Sequence, residues 1–135
     1  MDLIDHIEIY KLQGPEQKKP FWVSHFIVPN ANELLIKIKT KDGVEGFGMA
    51  TSYTDITPII KPFTNGLADQ IMGMNPYQPE EIYNKLFNLT DTRISNEKKW
   101  SREALIRISS AVDIACWDII GKKAGLPLYQ IFGGF

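Results

Sequence analysis

A chain of 135 residues, 44% hydrophobic and 23% charged, fits one soluble globular domain able to bury a core without disulfide or metal staples. Its 15 basic and 16 acidic residues leave a formal charge of −1, which excludes the strong positive field of a nucleic-acid or anionic-membrane binder. The one cysteine, Cys116, excludes an internal disulfide.

The first residues, Met1-Asp2-Leu3-Ile4-Asp5-His6, are too acidic for a secretory signal. With the lone cysteine they point to a reducing, cytoplasmic setting. Residues 3–12 hold Ile7, Ile9, Tyr10 and Leu12 without Gly or Pro and predict a strand. The Gly, Pro and Lys-rich stretch 13–20 breaks it. Residues 21–28 are apolar but irregular and end at Pro29. Residues 33–40 alternate, with Leu34, Ile36 and Ile38 against Lys37 and Lys39, as in a half-buried antiparallel strand. Asp42-Gly43 is a hairpin turn, and residues 44–50 return as the third strand. Gly46 and Gly48 within it suggest a bend or a close backbone approach.

Thr57-Pro58 reads as a helix start, with Thr57 as cap and the helix running to about Ala68. Pro79-Glu80-Glu81 opens a second helix, its apolar face being Ile82, Leu86 and Leu89. Residues 91–100 are polar and predict no element. Ser101 caps a third helix whose stripe is Leu105, Ile108, Ala111, Val112, Ala115 and Ile119. Asp118 and Lys122 form an acid-to-base pair along it, and Gly125 and Pro127 stop it. A short turn at residues 128–132 leads to Gly133-Gly134-Phe135. Strands followed by helices predict an α+β domain, a three-stranded antiparallel sheet followed by a three-helix bundle.

The third helix also carries a resemblance. Ser110-Ala111-Val112-Asp113-Ile114-Ala115-Cys116-Trp117-Asp118-Ile119-Ile120-Gly121-Lys122, continued by Ala124-Gly125-Leu126-Pro127-Leu128-Tyr129-Gln130-Ile131-Phe132-Gly133-Gly134, resembles the mandelate racemase and muconate lactonizing enzyme group of the enolase superfamily. Asp42-Gly43-Val44-Glu45-Gly46-Phe47-Gly48 is similar to the family's hairpin, and Gly73-Met74-Asn75-Pro76 to the loop before its second helix. The resemblance implies that residues 1–135 are an N-terminal capping domain. It further implies a C-terminal barrel, expected after residue 135 and absent here, so that the chain is a fragment, a separately produced domain or a truncated reading frame.

In that family a barrel Lys or His removes the proton next to a carboxylate, and Mg²⁺ bound by barrel carboxylates stabilises the enediolate. The full-length parent is thus expected to be an isomerase or lyase: a racemase, dehydratase or cycloisomerase. No residue of this chain matches the base or the metal ligands, so no catalytic or metal-binding residue is expected here, and the chain alone is expected to be inactive. The implied partners are the barrel, a small carboxylate substrate and, for the full-length enzyme, further copies of itself; nucleic acid and membrane are not among them.

The resemblance places substrate specificity in two lid loops, within residues 13–32 and 49–55. Trp22, His25, Ser52 and Tyr53 are the candidate contacts. His25 stands either as a substrate contact or as an imidazole packed at the loop base. Where many members carry glutamate after the glycine matched by Gly48, this chain has Met49, so no polar contact is implied there. Asp113, Trp117 and Asp118 are expected to serve ion pairing and helix packing, and Cys116 to be inert core. Two widely spaced histidines and one cysteine make no zinc site.

Two other readings compete. One is a stand-alone small-molecule or protein-binding α+β module, which would show a polar surface on all sides, whereas a cap separated from its barrel would expose apolar side chains. The other is an unrelated enzyme centred on Ser24 and His25, for which the sequence offers no partner acid.

Overall fold

The structure is a computed structural model that describes residues 1–91 and 93–135. Strand β1 (Ile4–Gln13) pairs antiparallel with β4 (Asn32–Thr40), which pairs antiparallel with β5 (Glu45–Ser52), in the order β1-β4-β5. The alternation in β4 sends Leu34, Ile36 and Ile38 fully into the core. On the opposite face Lys37 Nζ lies 3.4 Å from Glu8 and 3.1 Å from Glu45, a charge bridge across all three strands. Gly43 turns the β4–β5 hairpin at φ 85°, which a residue with a Cβ resists.

Within residues 13–32, where only a loop is expected, the chain forms a small second ribbon, β2 (Phe21–Val23) antiparallel to β3 (Phe26–Val28). Its turn is Ser24-His25, with Ser24 at φ 43°. That turn lacks the Asn-Gly or Asp-Gly signal of a two-residue hairpin, so the ribbon rests on its β-branched and aromatic residues and on the burial of Val28.

Strand β5 also outruns its expected end at Ala50. Because β4 begins at Asn32, pairing continues through Glu33↔Thr51 and Asn32↔Ser52, and the second loop shortens.

Helix α1 (Thr57–Thr64) starts without the Thr57 cap that the sequence suggests. Thr57 is already helical, and Asp55 Oδ1 accepts from its backbone N–H at 3.0 Å and its hydroxyl at 2.8 Å. The helix ends before Gly66, which sits at φ 87°, and a separate 3₁₀ turn covers Ala68–Gln70.

Helices α2 (Pro79–Asn88) and α4 (Arg102–Ala124) stand as expected. Two short helices join them: α3 (Arg93–Lys98), in the stretch expected to be irregular, and α5 (Leu128–Ile131). An Arg93–Glu97 pair at 2.5 Å supports α3, and buried Trp100 anchors its exit with Lys98 Nζ 5.1 Å from the ring centroid. Ser101 Oγ caps α4 by accepting from the Ala104 N–H at 3.1 Å, and Gly125 ends it in the left-handed region at φ 66°.

Every residue of the predicted α4 stripe is buried. The stripe lies on β5 through its smallest members. A Cβ on Gly48 would overlap the carbonyl oxygen of Ala111, and one on Gly46 that of Ala115. The close approach is locked at the strand's start, where Asp118 Oδ2 accepts from the Phe47 N–H at 2.9 Å and from Lys122 Nζ at 2.7 Å, while Lys122 also donates to the Glu45 carbonyl at 2.8 Å.

Gly48→Ala must push α4 off the sheet or bend β5, and is expected to cost about 3 kcal/mol. Ser101→Ala removes one cap and is expected to cost about 1 kcal/mol. Urea unfolding of both variants checks the contrast.

Candidate functional site

The β2–β3 ribbon and the end of β5 meet over the first half of α4. Between them lies an open cleft of about 480 Å³, lined by Val23, Ser24, His25 and Phe26 from the ribbon, Ser52, Tyr53 and Thr54 from the loop after β5, and Glu103 and Arg107 from α4. Strand alternation puts Phe21 and Val23 on the inner side of the ribbon. The Phe21 ring meets Tyr53 edge to face at 6.3 Å between centroids, which joins the two loops.

Three of the four residues singled out from the sequence line this cleft: His25, Ser52 and Tyr53. His25 is exposed in the ribbon's turn, not packed at a loop base. Tyr53 is 42% exposed. Ser52 is buried, and its hydroxyl is engaged inside the loop, donating to the Asp55 carbonyl at 3.0 Å and accepting from the Thr54 N–H at 3.3 Å. Trp22 stands apart on the outer side of the ribbon, 70% exposed, beside Ile27.

The sequence reading passed over Arg107 and Glu103, one helical turn apart on α4. Arg107 donates through Nε (3.1 Å) and Nη2 (2.9 Å) to Glu103 Oε1, and through Nη1 to the Thr51 carbonyl at 2.5 Å. It thereby holds the end of β5, while Asn32 Nδ2 holds the Thr54 carbonyl at 2.9 Å. The acid-to-base spacing of Glu103 and Arg107 was a visible signal, but nothing local told that this helix face looks into a cleft.

The helix residues set aside from catalysis divide. Asp118 is paired as described, and Trp117 packs on Phe132 at 4.8 Å between centroids. Asp113 makes no ion pair among the described residues; burial in the groove between α2 and α4 raises its carboxyl above the usual range. Cys116 is fully buried, and burial, with Asp113 nearby, pushes its thiol up to about 12. Among the described residues no three His, Cys, Asp or Glu side chains come together to hold a metal ion. Among them, too, no helix is long and apolar enough to cross a membrane.

A three-stranded antiparallel sheet under a long helix is the α+β architecture of enolase-superfamily N-terminal domains. Residues 6–133 match the mandelate racemase / muconate lactonizing enzyme N-terminal domain, and the chain belongs to that family. It is 34% identical over 108 residues to a D-galactonate dehydratase family member of Oceanicola granulosus, covering 78% of this chain and 24% of the relative. It is 27% identical over 136 residues to the N-succinyl-L-Arg/Lys racemase of Bacillus cereus, covering 97% of this chain and 33% of that enzyme. A crystal structure of an enolase-superfamily member from Roseovarius nubinhibens ISM, complexed with magnesium, superposes with a TM-score of 0.71 at 25% identity, over 99% of this chain and 34% of that one. The chain therefore spans about a quarter to a third of the length of these relatives.

A partly buried hydroxyl and a buried thiol make the domain sensitive to alkali. Burial, together with a 2.8 Å hydrogen bond to Asp2, lifts the Tyr77 hydroxyl to about 12, alongside Cys116. Between the ordinary values of these groups and about pH 12 the unfolded chain loses protons that the native chain keeps, so stability is whole below about pH 8.5 and falls as pH rises. Urea midpoints measured from about pH 8 to 11 are expected to decline, less so in Cys116→Ala.

Proposed function

We propose that this domain is the substrate-specificity lid of a larger Mg²⁺-dependent enzyme that removes the proton next to a carboxylate, as a racemase, dehydratase or cycloisomerase. The observation that carries the reading is the cleft at one end of the sheet, where two loops and α4 present side chains to a common space. In this reading the acid–base chemistry and the metal belong to a C-terminal barrel. The domain closes over the barrel's mouth, excludes water and reads the far end of the substrate. Tyr53, His25 and Ser24 make the contacts; Ser52 shapes the loop; Trp22, on the outer side of the ribbon, meets the barrel rim. The full-length enzyme works as an oligomer in the cytoplasm.

The surface supports a covered domain over a stand-alone module. Trp22, Tyr129 at 56% and Phe132 at 63% exposure leave large apolar faces in water, and the Trp117–Phe132 and Phe21–Tyr53 contacts link some of them into patches. The relatives' names supply the reaction classes: a dehydratase family and an N-succinyl amino-acid racemase.

Two measurements test this. The chain alone, incubated with sugar acids and N-acylated amino acids in D₂O, is expected to exchange no α-proton by NMR; measurable exchange overturns the reading. Joined to the C-terminal portion of the Oceanicola relative, it is expected to support turnover, with Tyr53→Ala raising KM about tenfold and leaving kcat nearly unchanged. A KM indifferent to Tyr53 removes the lid's role in specificity.

A further inference from the structure

The cleft is unequally furnished. The side-chain hydroxyls of Ser24, Tyr53 and Thr54 and the imidazole of His25 line it without a protein hydrogen bond among the described residues. Arg107 adds a guanidinium at its floor, about one-third exposed. The one acid in the lining is Glu103, whose side chain is 77% exposed.

The three hydrogen bonds of Arg107 are also unequal. The bond to the Thr51 carbonyl runs to a fixed backbone atom at the end of β5. The two to Glu103 run to one oxygen of an exposed side chain, and such surface pairs contribute about 0–1 kcal/mol. Each terminal nitrogen of Arg107 retains an N–H without a partner among the described residues. A guanidinium positioned on one side and loosely held on the other suits a carboxylate that approaches edge-on and accepts two parallel hydrogen bonds.

We propose that Arg107 is a ligand-binding residue that takes a carboxylate in this cleft, displacing Glu103, with the hydroxyls of Ser24, Tyr53 and Thr54 reading the atoms beside it. The inference rests on the lid reading above and extends it to a substrate class. If the reacting carboxylate engages residues outside this chain, the carboxylate at Arg107 is a second one. The substrate then carries an anionic group at the end remote from the reacting carbon. A succinyl-type tail and the far carboxylate of a sugar diacid both present that chemistry.

The test uses the 135-residue chain labelled with ¹⁵N and matched probes: succinamate against neutral succinamide, and D-gluconate against neutral D-glucitol. The anions are expected to shift the Arg107 Nε–H and the amides of Tyr53 and Thr54 saturably, with dissociation constants of about 1 mM, and to bind about tenfold tighter than their neutral counterparts. Arg107→Gln is expected to abolish that anion preference. Glu103→Gln, which removes the competing carboxylate, is expected to tighten anion binding about threefold. Tighter binding of succinamate supports the succinyl-type tail, and tighter binding of gluconate, which mimics the far half of a sugar diacid, supports the sugar-diacid tail.

Equal binding of anion and neutral probe in the cleft overturns the role of Arg107 and leaves the lid reading standing. No cleft shift with any probe overturns the proposal, and the KM response to Tyr53→Ala in the joined enzyme decides the lid reading separately. Should Arg107→Gln disturb amides throughout the domain, Glu103→Gln decides: weaker or unchanged anion binding in that variant overturns the proposal.

Discussion

The structure depends on how closely α4 lies on β5. Two glycines, Gly46 and Gly48, face Ala115 and Ala111 with no room for a methyl group between them. Interiors pack at the density of organic crystals, and a helix seated this deep fixes the position of everything attached to either element. The Asp118–Lys122 pair and its bonds to β5 backbone atoms hold the register at the strand's start. At the strand's other end Arg107 performs the same service for the Thr51 carbonyl. One helix thus clamps one edge strand at both ends.

That clamp explains why the cleft sits where it does. β5 leaves the clamp at Ser52, and the next residues turn sharply around the Ser52 hydroxyl before Asp55 engages Thr57 to start α1. Tyr53 is thereby pushed outward, where Phe21 meets it. The β2–β3 ribbon adds few long-range hydrogen bonds and is held mainly by buried Val28 and this aromatic contact.

The family relationship and the cleft answer different questions. Membership follows from a match over residues 6–133, a span that holds the packing features of the fold: the α4 stripe, the hairpin glycines and the Gly125 stop. The cleft side chains lie largely outside those packing positions.

The sequence by itself determined the parts governed by local periodicity and backbone chemistry. Alternation in β4, the three-and-four spacing of α4, the Ser101 cap, the Gly43 turn and the Gly125 stop were all legible because each rests on neighbours within a few residues. Of the four residues singled out from the sequence, His25, Ser52 and Tyr53 lie in the lining of the cleft. Tertiary structure alone decided the rest. It carried β5 on to Ser52 through pairing with β4, and the Ser52 hydroxyl takes part in the turn that follows. It folded an apolar stretch into a ribbon and turned Trp22 to the ribbon's outer side. It also brought Arg107 beneath Tyr53, across more than fifty residues of chain. Such encounters depend on how deeply one helix sinks into one strand, and no local pattern carries that depth.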